Sequence, residues 1–343
     1  MYTDSRPAWS PHIVAMTAVA ALAAVLLGAP PKSDAHGSDV DGVRATLKHG
    51  AFEVKGSDQA DLIALRLNAG DPSQLEVDVA DDGTADFTFA RSDVSAITVK
   101  GARGGDSLRI DDTNGSFTDS IPTTISGGDG SDSVTGGFGN EALAGGDGSD
   151  TITGAEGNDS AALGGRADTF RWDPGDGSDD IDGQEGRDTM LFDGAAGDES
   201  ITMSAAGKRL VFFRNVGNIN MDTTEVEAVD FNALGGADTI TVNNLKGTDV
   251  TQTNLDLAGT LGGDAADGAV DNVIVNATGG DDTIHIDGNG NAGANVTGLA
   301  TADSLTHADP TDKLSVNTFG GTDNVLTNGV AGVLQVVVDG VAV

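Results

Sequence analysis

An acidic side chain returns every ninth residue between Gly127 and Asp168, at Asp132, Glu141, Asp150, Asp159 and Asp168. Glycines fill the places just ahead of these acids, at Gly128 and Gly130, Gly137 and Gly139, Gly146 and Gly148, and Gly157. Carboxylates in such turns are oxygen donors, and glycine lets backbone carbonyls approach beside them. A hard divalent cation of the calcium type takes about six to eight oxygens at roughly 2.3–2.6 Å. One turn of this length holds too few, so the spacing implies turns stacked on one another that share ions.

Stacking requires a repeating element. Two residues after each acid stands one apolar residue (Val134, Leu143, Ile152, Ala161, Phe170), so turn, acid and inward-facing strand residue alternate on one period. If each repeat makes one turn and one short strand, two repeats complete a coil, and equivalent turns lie 18 residues apart. Asp132, Asp150 and Asp168 would then line one edge and Glu141 and Asp159 the other. The expected fold is all-β, a parallel β-roll or β-solenoid. The register slips by two residues through Arg171, Trp172 and Asp173. It resumes as PGDGSDDID from Pro174 and GQEGRDTML from Gly183, which puts Asp179 and Asp188 in the ligand place.

These repeats resemble the hemolysin-type calcium-binding (RTX) repeat, whose signature G-G-x-G-x-D-x-U-x builds a parallel β-helix. Gly127 to Thr135 and Gly145 to Thr153 match it completely. Glu141 replaces the aspartate in its repeat, Ala155 replaces a glycine, and Leu163 and Arg166 occupy glycine places ahead of Asp168. The tail of the motif recurs outside the block at irregular spacing: QADLIAL at Asp61, GGDSLRI at Asp106, GGADTITV at Asp238, AVDNVIV at Asp271, GGDDTIHI at Asp282 and GGTDNVL at Asp323. The flanks are therefore expected to be degenerate coils of the same solenoid. The whole arrangement is similar to that of a group of secreted bacterial calcium-binding proteins, and the resemblance implies calcium as the ligand.

Composition fits a thin-cored acidic solenoid. With 54 acidic and 18 basic residues the formal charge is −36, which repels nucleic acid phosphate and anionic lipid. Nucleic acid is excluded as a partner. Yet 38% of residues are hydrophobic and only 4% aromatic, enough for a long core of small aliphatic side chains and too much for a solvated acidic tail. Each bound calcium would cancel two charges, so folding is expected to depend on the ion.

Ile13 to Ala29 is an apolar stretch followed by Pro30, Pro31 and the small residues Ser33-Asp34-Ala35. It is read as a helical signal peptide over residues 1–35, somewhat short for a bilayer span, so no membrane span is expected after cleavage and the chain is expected outside the cell. There is no cysteine, so no disulfide stabilises the secreted chain, and calcium would take that role.

Catalytic signatures are absent. The five histidines (His12, His36, His49, His285, His307) form no His-Glu-x-x-His, and no G-x-S-x-G is present. The alternative to a binding protein is a polysaccharide lyase or epimerase carrying an RTX module. It would need a groove lined by Lys208, Arg214 or His285 to neutralise a uronate and move a proton. His285 alternates with Ile284 and Ile286, which places it outward on a strand. Phe170, Trp172, Phe192, Phe212 and Phe213 are expected in the core rather than in a sugar platform. Thr-x-Thr at Thr151 to Thr153 and Thr239 to Thr241 is too sparse for an ice-binding ladder.

The expected organisation is a leader (1–35), an amino-terminal β segment (36–126), a calcium roll (127–194) and a carboxy-terminal solenoid segment (195–343), with Glu199 to Val229 either coil or a small insert. The expected function is calcium binding without catalysis, with a cell-surface or matrix partner as a further possibility. Asp271, outside the block, is expected to be dispensable.

Overall fold

A computed structural model describes residues 35–343, so the expected helical leader, apart from Ala35 at the start of the strand Ala35–Val40, lies outside the described residues. The described residues form one compact unit, and two sheets of 16 and 14 strands run through it. Both sheets continue across the boundaries at 126 and 194, which therefore mark changes in turn chemistry along one solenoid.

The repeat block forms the coils that its period predicts. Ser133–Thr135 pairs in parallel with Thr151–Thr153, which pairs with Thr169–Trp172 and then Thr189–Asp193, setting Val134, Ile152, Phe170 and Met190 side by side. In the facing sheet Thr123–Asp129, Ala142–Asp147, Ser160–Gly165 and Asp180–Glu185 align Ile125, Leu143, Ala161 and Ile181. Alternation along each strand sends one residue inward and its neighbours outward. In Ser133–Thr135 only Val134 is buried. Such strands are too short to be stable alone, so each depends on its neighbours in the stack.

Elsewhere the parallel stack is interrupted by antiparallel excursions. Val43–Lys48 with Ala51–Lys55 extends one sheet, and Leu62–Leu67, Gln74–Val79 and Phe87–Ala90 extend the other. The stretch from Glu199 to Val229 is a meander of Ser200–Ala206, Arg209–Arg214 and Ile219–Thr224. Its outer strands pair in parallel with the coils on either side, so it is coil and excursion at once. Helical structure among the described residues is limited to three single 3-10 turns.

Aromatic side chains cluster in the core at the end of the repeat block and in the meander and strand that follow it. Trp172 stacks on Phe192 with centroids 3.9 Å apart, Phe212 and Phe231 pack around Phe192, and the indole N–H donates to the Gly177 carbonyl at 2.8 Å. Phe170, Trp172, Phe192 and Phe212 are fully buried, so no aromatic sugar platform forms from them. The small Ala161 occupies the facing stack, which leaves room for the rings.

One inward place holds a charge-bearing group. Asp303 stands beside Thr253 in the inward row, both side chains are buried, and the Thr253 hydroxyl donates to Asp303 Oδ1 at 2.9 Å. Its Oδ2 has no partner, and burial pushes its carboxyl above the ordinary value. Asp303→Asn keeps the acceptor and abolishes the charge. Thermal denaturation at pH 9 is expected to show a melting temperature higher by about 2–4 °C, the shift of roughly 1 kcal/mol in a chain of this size; a fall would contradict the assignment.

Candidate metal centre

Each coil strand of the repeat block is entered through one acid, and that acid turns inward. Asp132, Asp150, Asp168 and Asp188 are all 4% exposed or less. Asp132 N–H donates to Asp150 Oδ1 at 2.8 Å, Asp150 N–H to Asp168 Oδ1 at 2.7 Å, and Asp168 N–H to Asp188 Oδ1 at 2.9 Å. The opposite edge repeats this with Glu141 N–H to Asp159 and Asp159 N–H to Asp179, at 2.7 and 2.8 Å. The two edges are those expected from the spacing. The two-residue slip is absorbed as a longer coil, since both of its rungs join residues 20 apart rather than 18.

The ladders run well beyond the repeats. Asp61 and Asp106 precede Asp132 in the first column and Glu227 follows Asp188. A further column links Glu199, Asp238, Asp271 and Asp312, and Asp282 is joined to Asp323. Asp271, expected to be dispensable, is thus a buried rung of this column. Glu199, Glu227 and Asp312 were missed. Each stands two places before an inward residue (Ile201, Val229, Leu314), as the repeat acids do, so the acid-x-apolar tail alone would have located them.

Every rung uses one carboxylate oxygen. In the repeat block the other is left over: Asp132, Asp150, Asp159, Asp168, Asp179 and Asp188 each have a buried Oδ2 without a hydrogen-bond partner, and Glu141 a buried Oε1; outside it Asp106 and Asp238 have the same. Those of Asp106, Asp132, Asp150 and Asp188 meet a carbonyl of the next coil beside a turn glycine. The point where a β-carbon on Gly127 would stand lies 2.3 Å from Asp132 Oδ2 and 2.7 Å from the Gly145 carbonyl. At Gly145 the corresponding atoms are Asp150 Oδ2 and the Leu163 carbonyl, at 2.5 and 2.3 Å; at Gly101 they are Asp106 Oδ2 and the Gly127 carbonyl, at 2.2 and 2.4 Å. Any side chain there would fill the space on which the oxygens converge.

The other glycines serve the same stacking. Gly128, Gly130, Gly146 and Gly157 have φ of 118°, 141°, 117° and 109°, a region costly for other residues. Gly148 is needed for space, because its β-carbon would fall 1.5 Å from the Gly130 carbonyl. Gly137 and Gly139 lie against Asp112 and Thr118 of the coil ahead. Ala155 and Arg166, which replace glycines, hold left-handed φ of 67° and 89°.

Burying carboxylates in rows raises their proton affinity. Burial is the main cause throughout and neighbouring acids add to it, against the backbone amides that lower it. Asp106, Asp150 and Asp188 are pushed up to about 6, Asp179 to about 7 and Asp159 to about 9. One rung shows how such charge is otherwise met. Glu199 accepts from the buried Arg214 guanidinium, at 2.6 Å from Nε, and Arg214 lies over Trp172, 5.1 Å from the ring centroid. Among the described residues no other rung acid makes an ion pair with a basic side chain.

Neither a search of protein-family models nor one of curated proteins finds a match to this chain. The site therefore stands on its own geometry. Among the described residues no three acidic or imidazole side chains converge on one point, so an ion here would draw on single carboxylates and backbone carbonyls. All-oxygen donors with one carboxylate per step suit a hard cation such as calcium. The orphaned oxygens and the spaces at Gly127 and Gly145 fit that demand.

Proposed function

We propose that this chain is a secreted calcium-binding solenoid of the RTX type, in which ions lodged between successive turns neutralise the acid ladders and make folding depend on calcium. The observation that carries the reading is the unpartnered, buried carboxylate oxygen of the repeat acids, which at Asp132, Asp150 and Asp188 shares with a carbonyl of the next coil the space left open by Gly127, Gly145 and Gly183. Asp132, Asp150, Asp168 and Asp188 would serve one edge and Glu141, Asp159 and Asp179 the other, with carbonyls of the glycine turns completing the shell. Calcium supplies only charge and coordination in this reading; no reaction is involved.

The lyase or epimerase alternative finds no support in the residues it needs. Arg214 is consumed by Glu199 in the interior, and His285 stands exposed on the strand Thr283–Asn289. A concavity of about 380 Å³ near the carboxy terminus, lined by Thr318, Asp323, Val325, Val338 and Asp339 among others, brings no cationic or imidazole group. No helix among the described residues is long and apolar enough to cross a membrane.

Circular dichroism of the chain without its leader, titrated with calcium and separately with magnesium, tests the proposal. Strand signal is expected to rise with calcium at about 10⁻⁴ to 10⁻³ M and to respond little to magnesium, which demands a smaller octahedral shell. Asp132→Ala with Asp150→Ala should raise the calcium midpoint several-fold. A metal-free chain that is already fully ordered, and takes up no calcium in equilibrium dialysis, would refute the function.

A further inference from the structure

The second acid column starts differently from the rest. The coil ahead of Glu141 has no glycine turn; in its place is a loop opened by the 3-10 turn Asp112–Asn114 and anchored by the buried Phe117 and Ile121. We propose that this loop and Glu141 form a separate divalent-cation site, with the Asp112 and Glu141 carboxylates and the Thr118 oxygens as donors. The inference rests on the hard-cation reading above and joins the repeat acid Glu141 to Asp112 and Thr118, which lie outside the repeat pattern.

Glu141 is only 3% exposed, and its longer arm is used unlike those of the aspartates. Oε2 folds back to accept from the Gly137 amide at 2.8 Å, while the buried Oε1 completes no well-formed hydrogen bond, although the Thr118 hydroxyl and the Gly139 amide stand close enough to favour the charged carboxylate against burial. The point where a Gly139 β-carbon would stand lies 2.7 Å from Glu141 Oε1 and 2.2 Å from the Thr118 carbonyl. Asp112 approaches from the loop side. Its Oδ2 accepts from the Phe138 amide at 2.9 Å, and its Oδ1 is buried and unpartnered. At Gly137 the equivalent point is 2.7 Å from Asp112 Oδ2 and 2.8 Å from Thr118 Oγ1. Two carboxylates, a hydroxyl and a carbonyl therefore crowd around two glycines.

Charge points the same way. Burial first, and then the Glu141 charge against the favourable Phe138 amide, push the Asp112 carboxyl up to about 6. The nearby Arg91 is directed to Asp119 and Ser120, and among the described residues no basic side chain pairs with Asp112 or Glu141. A buried and a half-buried carboxylate, each with a buried spare oxygen, are what one hard dication balances. The glutamate that breaks the repeat pattern at 141 thus has a role, since only the longer chain carries an oxygen toward Thr118.

Equilibrium dialysis against radioactive calcium at saturation tests this with Asp112→Asn, which keeps an acceptor for the Phe138 amide. The variant is expected to bind one calcium fewer per chain than the wild type, with an unchanged circular dichroism spectrum in calcium. Glu141→Gln, also isosteric, is the second arm and should lose at least that ion. If the wild type binds calcium and either folded variant binds the same number with the same affinity, the loop site is overturned while the repeat sites stand. If the wild type binds none, both fall.

Discussion

In a chelator the melting temperature is expected to fall by at least about 5 °C as pH is raised from about 4 to about 7, and calcium should reverse the trend. The sign follows from proton counting. Free aspartates lose their protons near 3.9, whereas Asp106, Asp150 and Asp188 hold theirs to about 6 and Asp179, Asp238 and Asp271 to about 7. Across that window the folded chain binds more protons than the unfolded one, so stability declines as pH rises and levels off above the folded values. Calcium competes with those protons, so its stabilising effect grows over the same interval. Surface repulsion among 54 acidic residues acts in the same direction, but it is complete once ordinary carboxylates have ionised. Asp159, held to about 9, separates the two contributions. Asp159→Asn should remove the part of the decline that lies above about pH 8, where the acids held to about 7 have already ionised. Melting curves from pH 4 to 9 in chelator decide the matter, and a flat or rising profile would show that the ladder acids are not buried against their charge.

The repeat block was legible because its coil is close to a fixed multiple of its motif. A period of nine places every second acid on one edge, and Val134, Ile152 and Phe170 fall into register without any freedom left to choose. Outside the block the same geometry persists with its clock removed. The step from Asp188 to Glu227 spans 39 residues, that from Asp238 to Asp271 33, and that from Asp271 to Asp312 41. Extra strands and loops of variable length lie between coils, and periodicity carries no signal through an insertion. The ladder partners there are chosen by backbone stacking, which the acid-x-apolar tail marks only locally. Arg214 was unreadable for another reason. Its pairing with Glu199 depends on an antiparallel meander that brings residues 15 apart face to face inside the core. Asp112 and Thr118 belong to no motif, and only the missing glycine turn ahead of Glu141 hinted that something else must fill its place.

Asp271→Ala should lower the melting temperature in chelator by about 2–10 °C, where a surface aspartate would do nothing. The Asp238 amide donates to Asp271 Oδ1 at 2.8 Å in a fully buried setting, and an orphaned buried donor costs about 1–3 kcal/mol. For a chain of this size each kcal/mol corresponds to roughly 2–4 °C. Asp271→Asn separates the two roles that a ladder acid can have. It retains an acceptor for the Asp238 amide and removes a charge whose carboxyl burial pushes up to about 7, so at pH 8 it should be neutral or stabilising. Nor should it shift the calcium midpoint. The place five residues ahead of the acid, where Gly127 and Gly145 stand, is held here by Ala266, and Asp271, unlike Asp132 and Asp150, has no buried oxygen left without a partner. Asp150→Asn is the contrasting case, since it also keeps its rung to the Asp132 amide yet loses an oxygen aimed at the Leu163 carbonyl. It should weaken calcium binding while sparing stability in chelator. Equal effects of the two asparagine variants on calcium uptake would mean that the rung, and not the glycine space beside it, determines where ions bind.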